Sequence, residues 1–187
     1  MAAGTQPEQN QSSVGLFQKE KMTAVQFTNI INFACFVGDF DWARLFMEQH
    51  SHLLNREHYD NAILLSNGLL LSAQKKSRAT LDLLEQTNFN DVHLSMRARS
   101  LILKSFYELQ EPAERILSNC SAFNAFLSRN RKSHSSSIES TQNFVKIVKM
   151  MVNGKKDKAD ITHIINATKP LFLKKMAAGN ERKVIYD

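Results

Sequence analysis

Gly38-Asp39-Phe40-Asp41-Trp42-Ala43 is the stretch that decides the fold. Before it, Phe27, Ile30, Ile31, Ala34 and Cys35 recur at helical spacing; after it, Phe40, Ala43, Phe46 and Met47 do the same. Gly38 supplies a left-handed residue to end the first helix, and Asp39 an N-cap for the second. The small Ala43 lets the two backbones approach. The stretch is therefore the bend of a helical hairpin, spanning about 24–37 and 40–53, and Thr23 with Gln26 three residues on gives its first helix a capping box.

Two further hairpins follow by the same rules. Asn55 is read as a cap with Glu57 in the first turn, leading to helices over about 56–73 and 76–87 with the bend at Gln74-Lys75-Lys76. Asn90-Asp91 restarts the chain for helices over about 91–109 and 112–129, Pro112 fitting a first helical turn where its missing N–H costs nothing. Arg129 to Ser137 reads as a polar basic loop. Ser136 and Glu139 form a second capping box for a helix over about 137–152, which Asn153-Gly154 ends. Asp160 caps a short helix to about Ala167, and Thr168-Lys169-Pro170 begins a last one. Residues 1–21, rich in Gln, Ser and Asn near their start, are expected to be disordered or only partly ordered, 22–178 to form one helical-repeat domain, and 179–187 to fray.

Composition agrees with helices. Of 187 residues only six are Gly and three Pro, 43% are hydrophobic and 22% charged, which favours straight-chain helix formers over strands. Cys35 and Cys120 each lie within an apolar helical pattern, as buried thiols do, and no disulfide framework is expected. With no signal peptide visible and no apolar run near the roughly 18–20 residues of a membrane span, a cytoplasmic chain without membrane contact is expected.

Ala43, Ala79 and the Arg115-Ile116 pair stand at matching places in the three second helices, 36 and then 36 or 37 residues apart. A period in the mid-thirties with two helices per unit is the mark of an α-solenoid. The first unit resembles the tetratricopeptide (TPR) pattern at Phe27, Ile30, Ile31, Ala34, Gly38, Phe40, Ala43 and Met47. The second departs from it at Asn67, Gln74 and Lys76, and in the third Glu111-Pro112 replaces the usual turn. Over about Met22 to Met176 the runs Gly38 to Ala43, Ala98 to Lys104, Tyr107 to Leu109 and Ala167 to Pro170 are similar to the C-terminal part of an uncharacterised bacterial family with TPR-like repeats. That resemblance implies a scaffold, a short member or a detached C-terminal piece of a longer array, and no site residues. The expected fold is all-α: a right-handed TPR-like α-solenoid of about three hairpins plus two or three C-terminal helices.

The histidines do not suggest a metal: His50 and His52 are two apart on a helix and point to different faces. The serines around His134 sit in a loop, where catalytic geometry is poorly held. No enzyme and no cofactor is expected. The shape itself suggests protein binding. Thr28, Asn29 and Asn32 fall near groove-facing positions of the first helix, where amides could clamp a peptide, although no Lys stands near Thr28 to complete a carboxylate clamp. The opposing positions around Leu64 and Gly68 are apolar or bare.

The charge offers an alternative. Residues 1–90 carry seven Lys/Arg against nine Asp/Glu, and residues 91–187 carry seventeen against nine, within a total of +6. Arg129, Arg131 and Lys132, with Lys146, Lys149 and the lysines beyond Gly154, would give a weak, salt-sensitive affinity for nucleic acid. Self-association is the third option, since the first repeat has only a polar tail ahead of it and solenoid ends need covering.

Overall fold

The computed structural model describes residues 21–131 and 135–154. The N-terminal segment before residue 21, residues 132–134 of the basic loop expected over 129–137, the helices expected at Asp160 and Thr168, and the tail all lie outside the described residues, while Arg129 and residues 135–137 prove to be helical. The described chain contains seven helices and no strand; its sole β feature is an isolated bridge between Met22 and Leu54. None of its helices is long and apolar enough to cross a membrane.

Helix α1 (Ala24–Val37) starts at the expected capping box: Gln26 N donates to Thr23 Oγ1 at 3.2 Å and Thr23 N to Gln26 Oε1 at 2.9 Å. Helix α2 (Phe40–His50) starts at Asp39, whose Oδ1 accepts from Trp42 N at 3.1 Å. It ends earlier than the expected residue 53, because Ser51–Leu53 tighten into a 3₁₀ turn. A second such turn, Arg56–His58, precedes α3 (Tyr59–Ala73); Asn55 stands before it but makes no side-chain cap. Then come α4 (Ser77–Leu84), α5 (Val92–Glu108), α6 (Ala113–Arg129) and α7 (Ser135–Val152). Asp91 caps α5 through Leu94 N at 2.9 Å, and Pro112 serves as the N-cap of α6 rather than within its first turn. Ser136 lies inside α7, so it is not that helix's cap.

The three hairpin bends are copies of one another. Gly38, Lys75 and Gln110, spaced 37 and 35 residues apart, each take the left-handed conformation, with φ of 84°, 59° and 54°. After each, a backbone N–H reaches back five residues into the preceding helix: Asp39 to Ala34 O at 3.0 Å, Lys76 to Leu71 O at 2.9 Å, and Glu111 to Phe106 O at 3.0 Å. This bond satisfies a helix-end carbonyl that would otherwise have no partner. Only the first bend has glycine, the residue that adopts the conformation without a Cβ penalty. A left-handed non-glycine costs about 1–2 kcal/mol and a new glycine about 0.4–1 kcal/mol in unfolded-state entropy, so Lys75→Gly and Gln110→Gly should each stabilise by about 0.5 kcal/mol. Gly38→Ala should destabilise by about 1 kcal/mol although no atom stands in its way. Urea denaturation of the three variants reads the two opposite signs.

The helices pack in a regular order. The helices that open the hairpins lie against one another, α1 on α3 and α3 on α5, while α2 rests on α1, α4 on α3 and α5, and α6 on α5; α7 closes on α6 and touches α5. Two apolar clusters result. One joins Phe27, Ile31, Ala43, Phe46, Leu65 and Leu94; the other joins Leu81, Leu103, Phe106, Ile116, Phe123 and Val145. Ile102 packs against both.

The internal period survives with one change of register. Ala43 is fully buried as expected, but Ala79 is exposed and Thr80 takes the buried place, followed by Ile116. The spacings become 37 and 36. Thr80 tolerates burial because its hydroxyl donates to Lys76 O at 3.0 Å. In the first helices Thr28 and Ser66 do likewise, donating to Ala24 O and Ala62 O, both at 2.8 Å.

Candidate functional site

The row α1–α3–α5 is where a groove was expected, and α5 reaches across it. Arg97 Nη1 donates to Thr28 Oγ1 at 3.0 Å, and its Nη2 donates to Asn29 Oδ1. Two turns further along α5, on the same face, Lys104 Nζ donates to Ser72 Oγ of α3 at 3.2 Å and pairs with Glu108 at 3.6 Å. Thr28 is fully buried, so it offers no surface to a ligand; Asn29 is exposed but engaged, and Asn32 is half-buried. Among the described residues no carboxylate pairs with Arg97, and burial pulls its guanidinium below the ordinary arginine value. Gly68 is not a bare groove position either. It lies buried against Leu84, filling the α3–α4 contact.

The basic residues assemble separately. The Arg99 guanidinium lies 4.7 Å above the Phe126 ring, and its Nε is buried without a hydrogen-bond partner among the described residues. Arg129 stands one turn beyond Phe126 on the same face of α6. Burial chiefly, and then the Arg129 charge, lower the Arg99 pKa. Neither arginine makes an ion pair among the described residues, whereas the exposed Arg115 bonds both Glu85 at 3.1 Å and Glu111 at 2.9 Å while lying over Phe106. Arg131 is exposed at the end of α6, and Lys132 lies outside the described residues. The structure thus gathers Thr28 and Asn29 at one end and Arg129 and Arg131 at the other; it does not join the two sets.

Several other polar features are engaged within the fold. An open cleft of about 820 Å³ separates the start of α4 from the end of α5. Within it Ser77 Oγ donates to Glu108 Oε2 at 2.5 Å, and at its edge Arg78 pairs with Glu111 at 3.1 Å. His50 stacks on Phe46 with ring centroids 4.4 Å apart. Among the described residues no group of three His, Cys, Asp or Glu side chains is placed to hold a metal. Burial pushes the Cys35 thiol up to about 11 and raises Cys120 as well, so neither is a ready nucleophile at neutral pH.

The feature that sequence reasoning missed is apolar. Phe33, Phe36 and Val37 on α1 and Trp42 and Leu45 on α2 are 67%, 51%, 60%, 45% and 48% exposed. Five large hydrophobics in water within thirteen residues of one hairpin are more than the scattered singles of an ordinary surface. A signal was present in the chain: α1 has no charged residue from Ala24 to Val37, although Phe27, Ile31 and Ala34 already supply its inward stripe. Compared with protein-family models, curated proteins and solved structures, the chain matches none.

Proposed function

We propose that this chain is a non-catalytic scaffold or adaptor, a right-handed TPR-like α-solenoid that binds protein on the outer face of its first hairpin. The observation that carries the reading is the exposed apolar face at Phe33, Phe36, Val37, Trp42 and Leu45. Burying such side chains is the main driving force of protein association, and interface cores are poor in charge and rich in aromatics. The three matching bends and the contiguous first helices support the repeat reading. So does the resemblance to a bacterial family with TPR-like repeats. A reducing, cytoplasmic setting suits two unpaired cysteines. The bonds of Arg97 to Thr28 and Asn29 support a docking face on the hairpin over one in the groove.

The alternative is an accessory nucleic-acid-binding module, favoured by the two arginines Arg99 and Arg129, which have no acidic partner among the described residues. One capture experiment separates the two. Immobilised wild type should retain a protein from lysate, and Trp42→Glu with Phe36→Glu should lose at least 10-fold of it, as hot-spot aromatics do. Material that is digested by nuclease and eluted by moderate salt, but unaffected by the two substitutions, would transfer the function to the basic side.

A further inference from the structure

We infer that the outer face of the first hairpin binds a second copy of this chain, with α1 crossing its own counterpart antiparallel about a two-fold axis near Phe33 and Phe36. The inference rests on reading that hairpin as the docking face. Three observations select a second copy.

The first is spacing. Gln26, Asn29, Phe33 and Phe36 follow the alternating three-and-four interval of a helix–helix seam, on the side of α1 away from its buried residues Phe27, Ile31 and Ala34. The second is charge. Close to a two-fold axis a residue lies near its own copy, so a charged side chain there lies near a like charge. Helix α1 carries none. An antiparallel crossing at Phe33–Phe36 also sets the Asn29 end of one helix beside the Asp39–Asp41 end of the other. Arg97, bonded to Asn29 and lacking an acid of its own among the described residues, then approaches two acids of the second copy, Asp39, which caps α2, and the exposed Asp41, which Arg44 pairs at 2.8 Å within its own chain.

The third is size. At roughly 150–250 Å² per large side chain, the five exposed hydrophobics leave on the order of 500 Å² of apolar surface, so a symmetric pair covers at most on the order of 1,000 Å². That reaches the lower bound of about 1,000 Å² for a specific interface and places the dimer among weak, concentration-dependent ones.

Light scattering of the full chain over about 1–200 μM tests this, a range suited to so small an interface. The expected result is a mass rising from monomer to dimer. Phe33→Glu alone and Phe33→Lys alone should each be monomeric throughout, with unchanged thermal midpoints because Phe33 is exposed. An equimolar mixture of the two should regain the dimer, since unlike charges then face each other across the axis. A monomeric wild type at the highest concentration overturns the inference. So does a dimer that either substitution leaves intact, or a mixture that stays monomeric. A monomeric wild type whose capture of another protein still falls with Phe36→Glu would sink the dimer and leave the docking reading standing.

Discussion

Phe27→Ala should cost about 3–5 kcal/mol of unfolding free energy, the range for deleting a fully buried aromatic. Phe27 has no exposed surface, and its ring lies 5.5 Å from that of Phe46 across the α1–α2 contact. The cavity would open in the cluster that α1 shares with α2 and α3, where Ile31, Ala43 and Leu65 are also fully buried and have little freedom to collapse. In a domain of this size each kcal/mol moves the thermal midpoint by about 2–4 °C, so the melt should shift down by roughly 10 °C. Phe33→Ala is the internal control. Six residues further along the same helix, it removes the same atoms from a site 67% exposed, and should change stability by no more than about 0.5 kcal/mol. Near-equal shifts for the two variants would mean that α1 is turned the wrong way.

That contrast also marks where the sequence was legible. Local rules fixed what local atoms decide: the capping box at Thr23, the left-handed Gly38, the caps at Asp39 and Asp91, and the course of α1, α2, α5 and α6 to within three residues. Lys75 and Gln110 escaped as left-handed residues because nothing in a lysine or a glutamine announces that conformation; the surrounding helices impose it. The exchange of Ala79 for Thr80 has a similar origin. A threonine reads as polar until its hydroxyl is seen bonded to the carbonyl of Lys76. The candidate site was less legible than the fold. Thr28 and Asn29 were expected to face a ligand, and only the packing of α5 beside α1, 68 and 69 residues away in sequence, shows them held by Arg97. Trp42 was read as part of a bend, and its exposure follows from how little beyond α1 comes to rest on α2. Periodicity tells which side chains can be buried together, but whether a partner helix arrives to cover them is decided by long-range packing.

The α3–α4 contact gives the second large effect, and it grows with the size of the substituent. A Cβ added at Gly68 would stand 2.8 Å from Leu84 Cδ1 and 3.0 Å from Cδ2, closer than carbon atoms approach without displacement. Leu84 is 1% exposed, so its methyls have no open space to enter. For Gly68→Ala two terms oppose. Alanine in a helix interior gains about 1 kcal/mol over glycine, and a modest overpacking costs about 1–3 kcal/mol. The net change should be a loss of about 1 kcal/mol or less. Gly68→Leu adds three further carbons at the same point, while its helix propensity is no better than that of alanine. Overpacking then dominates, and the loss should reach about 3 kcal/mol. The decisive measurement is the double variant. Leu84→Ala alone should cost about 2–5 kcal/mol by leaving a cavity. Made in the Gly68→Leu protein, it should instead recover at least about 1 kcal/mol, because the new leucine fills the vacated space and the squeeze is relieved. Additive losses in the double variant would show that Gly68 and Leu84 do not meet, and would separate α4 from the face of α3 on which the repeat reading places it.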